Sequence, residues 1–361
     1  MESMSAPRSR AWVEVSLAAV VENARTVARV ADTRLLPIVK ANAYGLGAVA
    51  VSRALEQVDP WGYGVATIEE GAELRAAGIA RPVLVCTPAQ PDQFAAYHRL
   101  DLSPAIGDAA SAAAWLAQTP ERPCHLEIDT GMGRAGVRWD AIDAVRGIPG
   151  ADRIAGCFTQ LHSSERDDGT AEQQLERFLG AVERLPRRPQ LLHVANSGAA
   201  LRGGRFSLDA VRPGVYLYGG TPGGSLEPGA AVVGLRARVV SVRRVRAGDS
   251  VSYNATWTAP RDTVVATLGI GYGDGLRRSA GFSGKTTVLL GGARCPIVGL
   301  VMMDYTIVDA GETPVGVGDV ATLIGAADGG RITLEQFSSG ADVMQREFLC
   351  GLGSRLPRIY E

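Results

Sequence analysis

The sequence lacks an excess of charge of either sign. Its 37 Lys and Arg residues face 38 Asp and Glu residues, which leaves a formal net charge of -1 over 361 residues. Such a chain has no overall field that would draw it to nucleic acid or to an anionic membrane. We therefore expect a small-molecule substrate and neither a nucleic-acid nor a membrane partner.

Cysteine and long apolar runs are also scarce. The five cysteines are widely spaced, form no C-x-x-C pair and mostly lie in apolar runs typical of buried strands. This usage predicts reduced thiols and a cytoplasmic location. The opening MESMSAPRSRAWVEV has no apolar core of signal-peptide length, and no stretch approaches the roughly 20 apolar residues of a membrane span. We expect a soluble, intracellular protein.

The region 16–230 alternates short apolar runs with segments of helical period, which is typical of parallel βα units. Eight candidate strands are present, at 35–40, 61–66, 82–86, 102–106, 125–129, 154–159, 191–195 and 211–218. Eight units favour an N-terminal (β/α)8 TIM-type barrel, with an open doubly wound sheet as the alternative. Thr67 and Glu70 form a capping box that predicts a helix start. In either fold we expect the chemistry at the carboxyl ends of the strands.

After the Gly- and Pro-rich stretch 219–229 the pattern changes to strands and turns without crossover helices. The candidate strands are 232–245, 263–269, 286–290, 297–308 and 319–324. This pattern predicts a mainly β C-terminal domain over 231–361. The opening run 11–15 alternates like a strand and could be added to that domain.

One lysine stands out, because Lys40 ends an apolar strand in LLPIVKANAYGLG. Its amine is costly to desolvate, so a compensating role is expected. Taken alone, Lys40 fits a Schiff-base lysine, a phosphate ligand or a structural lysine that extends its amine to solvent. Asn42, Tyr44 and the glycines that follow supply hydrogen-bonding groups and a flexible turn, which favours a functional role.

A second group of candidates lies late in the strand order. The segment HVANSG ends a strand and starts a short helix, with Ser197 at the helix N-terminus. The segment RPGV, which contains Arg212 and Gly214, ends the last strand run. Barrels often place phosphate sites late in strand order, so Ser197 and the amides near Gly214 could bind a phosphate.

A metal-dependent hydrolase is a rival interpretation of the barrel. His125, His162 and His193 fall at three candidate strands, with Asp129 nearby. This interpretation leaves the lysine segment and the whole β domain unexplained.

Seven segments in order strongly resemble the alanine racemases, which depend on pyridoxal phosphate. They are VKANAYGLG, HLEIDTGMGRAGV, HVANSGAAL, VRPGVYLYG, VSYNATW, IGYGDG and VGLVMMDYTIV, and they span nearly the whole chain. The resemblance implies a cytoplasmic homodimer with shared active sites that interconverts L-alanine and D-alanine for peptidoglycan. A serine-directed or broad-specificity racemase is one alternative. A non-catalytic pyridoxal phosphate carrier is another, but it would need neither Tyr253 nor the β domain.

The same resemblance assigns roles to individual residues. Lys40 would hold pyridoxal 5'-phosphate covalently and act as one catalytic base, and Tyr253 would enter from the partner subunit as the second. Arg212 would face the pyridine nitrogen and His193 would lie against the ring. The remaining cofactor-binding residues are Tyr44, Asn196, Ser197, Gly214 and Val215. The substrate-binding residues are Arg134, Met303, Tyr272 and Asp304.

Among the positions that depart from the family pattern, including Leu46 in YGLG, three are expected to support the site differently. Glu127 stands where many relatives have a carbamylated lysine beside the substrate-binding arginine, and we expect it to supply the negative charge directly. Gln160 stands where a titratable histidine is common. Ser354 replaces a tyrosine at the access route, which predicts greater tolerance of serine as a substrate.

Overall fold

The structure is a computed structural model that describes residues 9–118 and 121–361. The described chain forms two compact units. The first contains Val20–Leu217 and Thr221–Gly229, and the second contains the residues up to Ala19 together with Tyr218–Gly220 and Ala230–Glu361. Within the described residues, no helix has the length and apolar character needed to cross a membrane.

Eight parallel strands form the first unit. They are Arg34–Leu35, Tyr63–Val65, Val83–Pro88, Ser103–Ile106, His125–Asp129, Gly156–Phe158, Leu191–His193 and Ala210–Val211, with the short Val137–Arg138 added beside the fifth. The main helices in this part of the chain are Leu17–Ala31, Ala48–Leu55, Ile68–Ala76, Phe94–Arg99, Ala109–Gln118, Asp143–Arg146, Thr170–Glu183 and Ser197–Arg202.

Hydrogen bonds close these strands into a ring. Six strands pair in parallel in chain order, from Tyr63–Val65 to Leu191–His193. The last strand pairs with the first at Ala210 and Arg34, and Ile38, beyond the first strand, bridges to Gly64 in the second. The Asp209 N–H donates to the Leu192 carbonyl at 3.0 Å and so joins the seventh strand to the eighth. The predicted (β/α)8 TIM-type barrel is confirmed.

The helices form where the sequence pattern places apolar residues at helical spacing. In Leu17–Ala31 the buried face includes Val20, Ala24 and Val27, which repeat every three or four residues. The predicted capping box begins Ile68–Ala76, because the Thr67 hydroxyl accepts the Glu70 N–H at 3.2 Å.

The strand predicted at 211–218 is wrong over most of its length. Only Ala210–Val211 is a strand, and Val215–Tyr218 forms a 3-10 helix. Pro213 lacks the N–H that a further ladder bond would need. The other 3-10 helices are Glu56–Val58, Pro91–Gln93, Trp139–Ala141, Ala151–Arg153, Gly204–Phe206, Tyr253–Ala255 and Tyr272–Asp274.

The second unit is mainly β, as predicted. Its strands are Ala11–Val15, Val233–Val245, Ser250–Val251, Trp257–Thr258, Thr263–Leu268, Thr287–Leu290, Ala293–Pro296, Thr306–Gly311, Val320–Ala327, Gly330–Ile332 and Arg358–Tyr360. Its α-helices are Ser279–Phe282, Leu334–Gly340 and Gln345–Gly351. The long Val233–Val245 is central and pairs antiparallel with Ala11–Val15, Thr263–Leu268 and Val320–Ala327.

The single strand predicted at 297–308 is also wrong. Ile297 makes one bridge to Val308, and the regular strand begins only at Thr306. Between them the chain leaves the sheet, with Gly299 in the left-handed region at a φ of 69°. This loop carries Met303 and Asp304.

Candidate functional site

The strand predicted at 35–40 is regular only at Arg34–Leu35, with one further bridge at Ile38. Lys40 follows this bridge and begins a left-handed turn, Lys40–Tyr44. Ala41, Asn42, Ala43 and Tyr44 all have φ between 52° and 55°. For residues with a side chain, this conformation costs roughly 1–2 kcal/mol each. The turn is therefore strained, and its surroundings must hold it in place.

Backbone bonds provide part of that support. The Ala43 N–H donates to the Val39 carbonyl and the Gly45 N–H donates to the Ala41 carbonyl, both at 2.7 Å. The Asn42 side chain accepts the Ala48 N–H at 2.8 Å and so anchors the turn to the next helix.

Arg212 is buried and directly follows the last barrel strand. It donates to the carbonyl of Thr159 at 2.7 Å and also to the carbonyl of His193. Its Nη1 lies 3.0 Å from Nδ1 of His193. Because a guanidinium only donates, His193 must accept at Nδ1 and carry its proton on Nε2. Nε2 then donates to Nδ1 of His125, 2.9 Å away.

The charge states in this chain of contacts follow from burial. Burial first, then the neighbouring Arg212 charge, lowers the pKa of His125 to about 4 and that of His193 well below its usual range. Burial also lowers the pKa of Arg212, to about 10. Near neutral pH both histidines are therefore uncharged and Arg212 is the cation of the group.

Ser197 and Gly214 lie together, as the sequence suggested. The Ser197 hydroxyl accepts the Gly214 N–H at 2.9 Å and the Tyr216 N–H at 3.4 Å. A Cβ at Gly214 would come within 2.5 Å of the Tyr44 hydroxyl. Asn196 caps the adjacent short helix by accepting the Ala199 N–H at 3.3 Å. Val215 begins the 3-10 helix that follows.

Glu127 contacts Arg134, but only with one oxygen. Its Oε1 lies 3.5 Å from Nη2 of Arg134, and Oε2 has no hydrogen-bond partner among the described residues. Glu127 is 3% exposed and Arg134 is 53% exposed. Burial raises the pKa of Glu127, and the Arg134 charge opposes this in part.

Gln160 is not bonded to Arg212 in this arrangement. Its side chain donates to the neighbouring Leu161 carbonyl at 3.1 Å.

Asp129, at the end of the same strand as Glu127, accepts the N–H groups of Gly131 and Gly133. It therefore shapes the loop that carries Arg134.

The second unit presents Tyr253 on a strained loop. Tyr253 is 66% exposed. The preceding Ser252 has a φ of 77°, and its hydroxyl accepts the Leu300 N–H at 2.9 Å while donating to the Leu300 carbonyl. Tyr253 and Tyr272 line a cavity of about 310 Å³ together with Arg278 and Met302.

Tyr272 and Met303 belong to adjoining loops that backbone hydrogen bonds join, with the buried Asp274 carboxylate in the first of them. Asp274 accepts two bonds from Arg10, at 2.9 and 3.1 Å, and one from Arg355 at 3.0 Å. The Tyr272 N–H donates to the Met302 carbonyl at 2.8 Å. Tyr272 and Met303 are 42% and 54% exposed.

Two further candidates lie beside this pair of loops. Asp304 pairs with Arg355 at 3.0 Å. Ser354 is exposed and precedes Arg355.

The three histidines of the rival metal interpretation do not meet. His125 and His193 bond each other, whereas His162 is exposed and its Nδ1 lies 2.8 Å from the Ser163 hydroxyl. Within residues 9–118 and 121–361, no group of three or more His, Cys, Asp or Glu side chains could hold a metal ion.

Sequence reasoning missed several contributors to this site. The sequence offers His125 as a metal ligand, whereas in the structure it bonds His193 at 2.9 Å. The left-handed turn had only Asn42 and Gly45 as signals, since Ala41 and Ala43 ordinarily avoid this conformation. Ser252 carried no signal of its positive φ.

Comparison with known proteins covers both units. The family profile "Alanine racemase, N-terminal domain" matches residues 15–222, and "Alanine racemase, C-terminal domain" matches 232–360. An alanine racemase of Deinococcus radiodurans is 37% identical over 358 residues, with 97% of this chain and 98% of that protein covered. The crystal structure of alanine racemase from E. faecalis matches with a TM-score of 0.90 at 31% identity, covering 98% of each chain. Alanine racemase from Bartonella henselae with covalently bound pyridoxal phosphate matches with a TM-score of 0.88 at 31% identity, covering 98% of this chain and 100% of that one.

Proposed function

The chain belongs to the alanine racemase family, and we propose that it interconverts L-alanine and D-alanine with pyridoxal 5'-phosphate as cofactor. The observation that carries this proposal is the position of Lys40. Lys40 follows the Ile38 bridge beyond the first barrel strand and begins a left-handed turn whose last residue, Tyr44, approaches Gly214.

The residues present fit this cofactor. The absence of a side chain at Gly214 leaves the space that the Tyr44 hydroxyl occupies, beside an N–H already bonded to Ser197. A phosphate suits a cradle of hydroxyls and backbone amides. A cation is also near, because the buried Arg212 lies two residues before Gly214.

Lys40 would hold the cofactor through its amine, and Tyr44, Asn196, Ser197, Gly214 and Val215 would bind the phosphate. His193 would lie against the ring. Arg212 would donate toward the pyridine nitrogen and disfavour its protonation, since a guanidinium stays charged. When bound, pyridoxal phosphate supplies the electron sink that makes the Cα proton of an amino acid removable.

Proton transfer on two faces of the substrate is the work of two side chains. In this proposal the Lys40 amine takes or returns the proton on one face, and the Tyr253 hydroxyl does so on the other. Arg134 and the Met303 amide bind the substrate carboxylate, with Asp304 beside Met303. Glu127 holds a negative charge against Arg134, and Tyr272 lines the access route. Gln160 takes the position at which a histidine is common, and its amide gains or loses no proton.

The proposal includes a homodimer in which Tyr253 enters the partner subunit's site. Its support is the exposed aromatic and methionine surface of the second unit, which contains Tyr253, Tyr272, Met303 and Tyr305, exposed by 66%, 42%, 54% and 46%. Apolar surface of this kind commonly marks an interface. We further propose a cytoplasmic enzyme that supplies D-alanine for the cell wall.

Lysine content makes a direct test possible, because the chain contains only Lys40 and Lys285. Borohydride reduction after incubation with pyridoxal phosphate, followed by peptide mass spectrometry, should place the label on Lys40. Lys285→Arg should leave the label unchanged and Lys40→Ala should remove it. Label on Lys285 alone, or on neither lysine, would contradict the proposed cofactor site.

Tyr253→Phe separates a racemase from a carrier. It should keep the label on Lys40 and lose most of the racemisation, because one of the two proton-transfer groups is gone. A carrier would show no racemisation in either form.

A further inference from the structure

Glu70 makes contacts that its helix does not require. It lies at the third position of Ile68–Ala76 and is half-buried. Its Oε2 accepts the Ala66 N–H at 2.7 Å and the Thr67 N–H at 3.4 Å. Its Oε1 accepts the N–H of Ala41, also at 2.7 Å.

The capping box accounts for only one of these contacts, and it is the longest. A capping box needs the bond from Glu70 to the backbone of Thr67. The two shorter bonds instead join the ends of neighbouring barrel strands. Ala66 directly follows the strand Tyr63–Val65, and Ala41 directly follows Lys40.

The bond to Ala41 falls where the backbone changes hand. Ala41 is the first of the four left-handed residues, at a φ of 52°. A carboxylate that accepts from a backbone N–H forms a charge-assisted bond, which is stronger than a neutral one. By fixing this N–H, Glu70 fixes the peptide that joins Lys40 to the strained turn.

We propose that Glu70 is a positioning residue for Lys40 and Tyr44, tying the left-handed turn to the neighbouring strand end so that the turn is in place before the cofactor binds. This inference rests on the proposed function, because a fixed turn matters only if Lys40 and Tyr44 bind the cofactor. Glu70 itself takes no proton and touches no reacting atom in this role.

Glu70→Gln tests the proposal, since an amide has one acceptor oxygen and cannot accept both short bonds. Glu69→Gln is the matched control, because it removes a carboxylate at the adjacent, exposed position of the same first helical turn. Thr67→Ala is a second control, since it removes the hydroxyl that accepts the Glu70 N–H and leaves the bonds to Ala41 and Ala66.

The first measurement is amide hydrogen exchange over residues 39–47 without cofactor. Glu70→Gln should speed this exchange at least tenfold, and both controls should stay within twofold of the wild type. The dissociation constant of pyridoxal phosphate, followed by its absorbance, should rise about tenfold in Glu70→Gln alone, as expected for the loss of one charge-assisted bond. Exchange and affinity equal to those of Glu69→Gln would overturn the proposal.

Two further arms keep the outcome decisive. Glu70→Gln could lower the melting temperature of the whole protein, and Glu70→Asp is then used in its place. Glu70→Asp keeps the charge, but its side chain is one methylene shorter. It should therefore exchange over residues 39–47 as fast as Glu70→Gln. A wild-type protein that is not labelled at Lys40 would overturn the proposed function, whereas the exchange experiment would still decide whether Glu70 fixes the turn.

Discussion

Glu127→Gln should make the protein more stable and less active at the same time. Glu127 is 3% exposed, and its Oε2 has no hydrogen-bond partner among the described residues. A buried polar group left unpaired costs roughly 1–3 kcal/mol, and more when it is charged. An uncharged amide in the same place costs less.

The pH dependence follows from the raised pKa of Glu127, which burial causes. A carboxyl with a higher pKa in the folded state holds its proton more tightly there than in the unfolded state. Stability is therefore lost as the pH rises from the unfolded pKa through the folded one. The gain in stability of Glu127→Gln over the wild type should be absent well below the pKa of Glu127 in the unfolded state. It should be complete above the pKa of Glu127 in the folded state.

Thermal unfolding of the cofactor-free protein at pH 8 and pH 4 measures this difference. At pH 8 we expect the variant to melt roughly 2–5 °C higher, the shift that about 1–3 kcal/mol produces in a chain of this size. At pH 4, close to the ordinary pKa of a glutamate, most of this difference should be gone. Glu312→Gln, which removes an exposed carboxylate, should change neither value.

Activity should move in the opposite direction. Without the Glu127 charge, Arg134 loses an anionic partner at 3.5 Å. An ion pair with one exposed member contributes up to about 1 kcal/mol, so kcat/KM for alanine should fall about fivefold. A variant that melts lower than the wild type at pH 8, or that keeps full activity, would refute the reasoning.

The remaining predictions concern close contacts. Gly214→Ala should weaken pyridoxal phosphate binding about tenfold, because the new Cβ would lie 2.5 Å from the Tyr44 hydroxyl; Gly180→Ala, which meets nothing within 4 Å, should not. Ser252→Ala and Ser252→Gly should both lower kcat by releasing the bond to the Leu300 backbone. In denaturant unfolding the glycine variant should be more stable than the alanine variant by about 1–3 kcal/mol, because glycine adopts the φ of 77° without strain. Ser354→Tyr should lower serine turnover more than alanine turnover, and equal effects would contradict the predicted tolerance.

The barrel could be predicted because most of its strands lie in apolar runs and most of the connections between them have helical period. The β unit could be predicted from the loss of those connections. Prediction failed where a short-range feature interrupted an apolar run. Pro213 ends the strand predicted at 211–218, and Gly299 takes the chain out of the sheet within 297–308.

The candidate site shows a similar limit. Lys40, Arg212 and Ser197 could be located because strand ends converge in a barrel. The left-handed conformation of Ala41 could not be predicted, because alanine prefers other conformations and contacts with distant residues hold this one in place. Glu70 gave a helix signal only, because its bond to Ala41 joins residues 29 positions apart.

Chiral analysis of alanine tests the central claim most directly. Protein loaded with pyridoxal phosphate would be incubated with L-alanine and, separately, with D-alanine, and both products would be followed to equilibrium. The account predicts that each enantiomer yields the other until they reach equal amounts, with Lys40→Ala and Tyr253→Phe each losing most of that conversion. A fully loaded wild-type protein that leaves both enantiomers unchanged would contradict it.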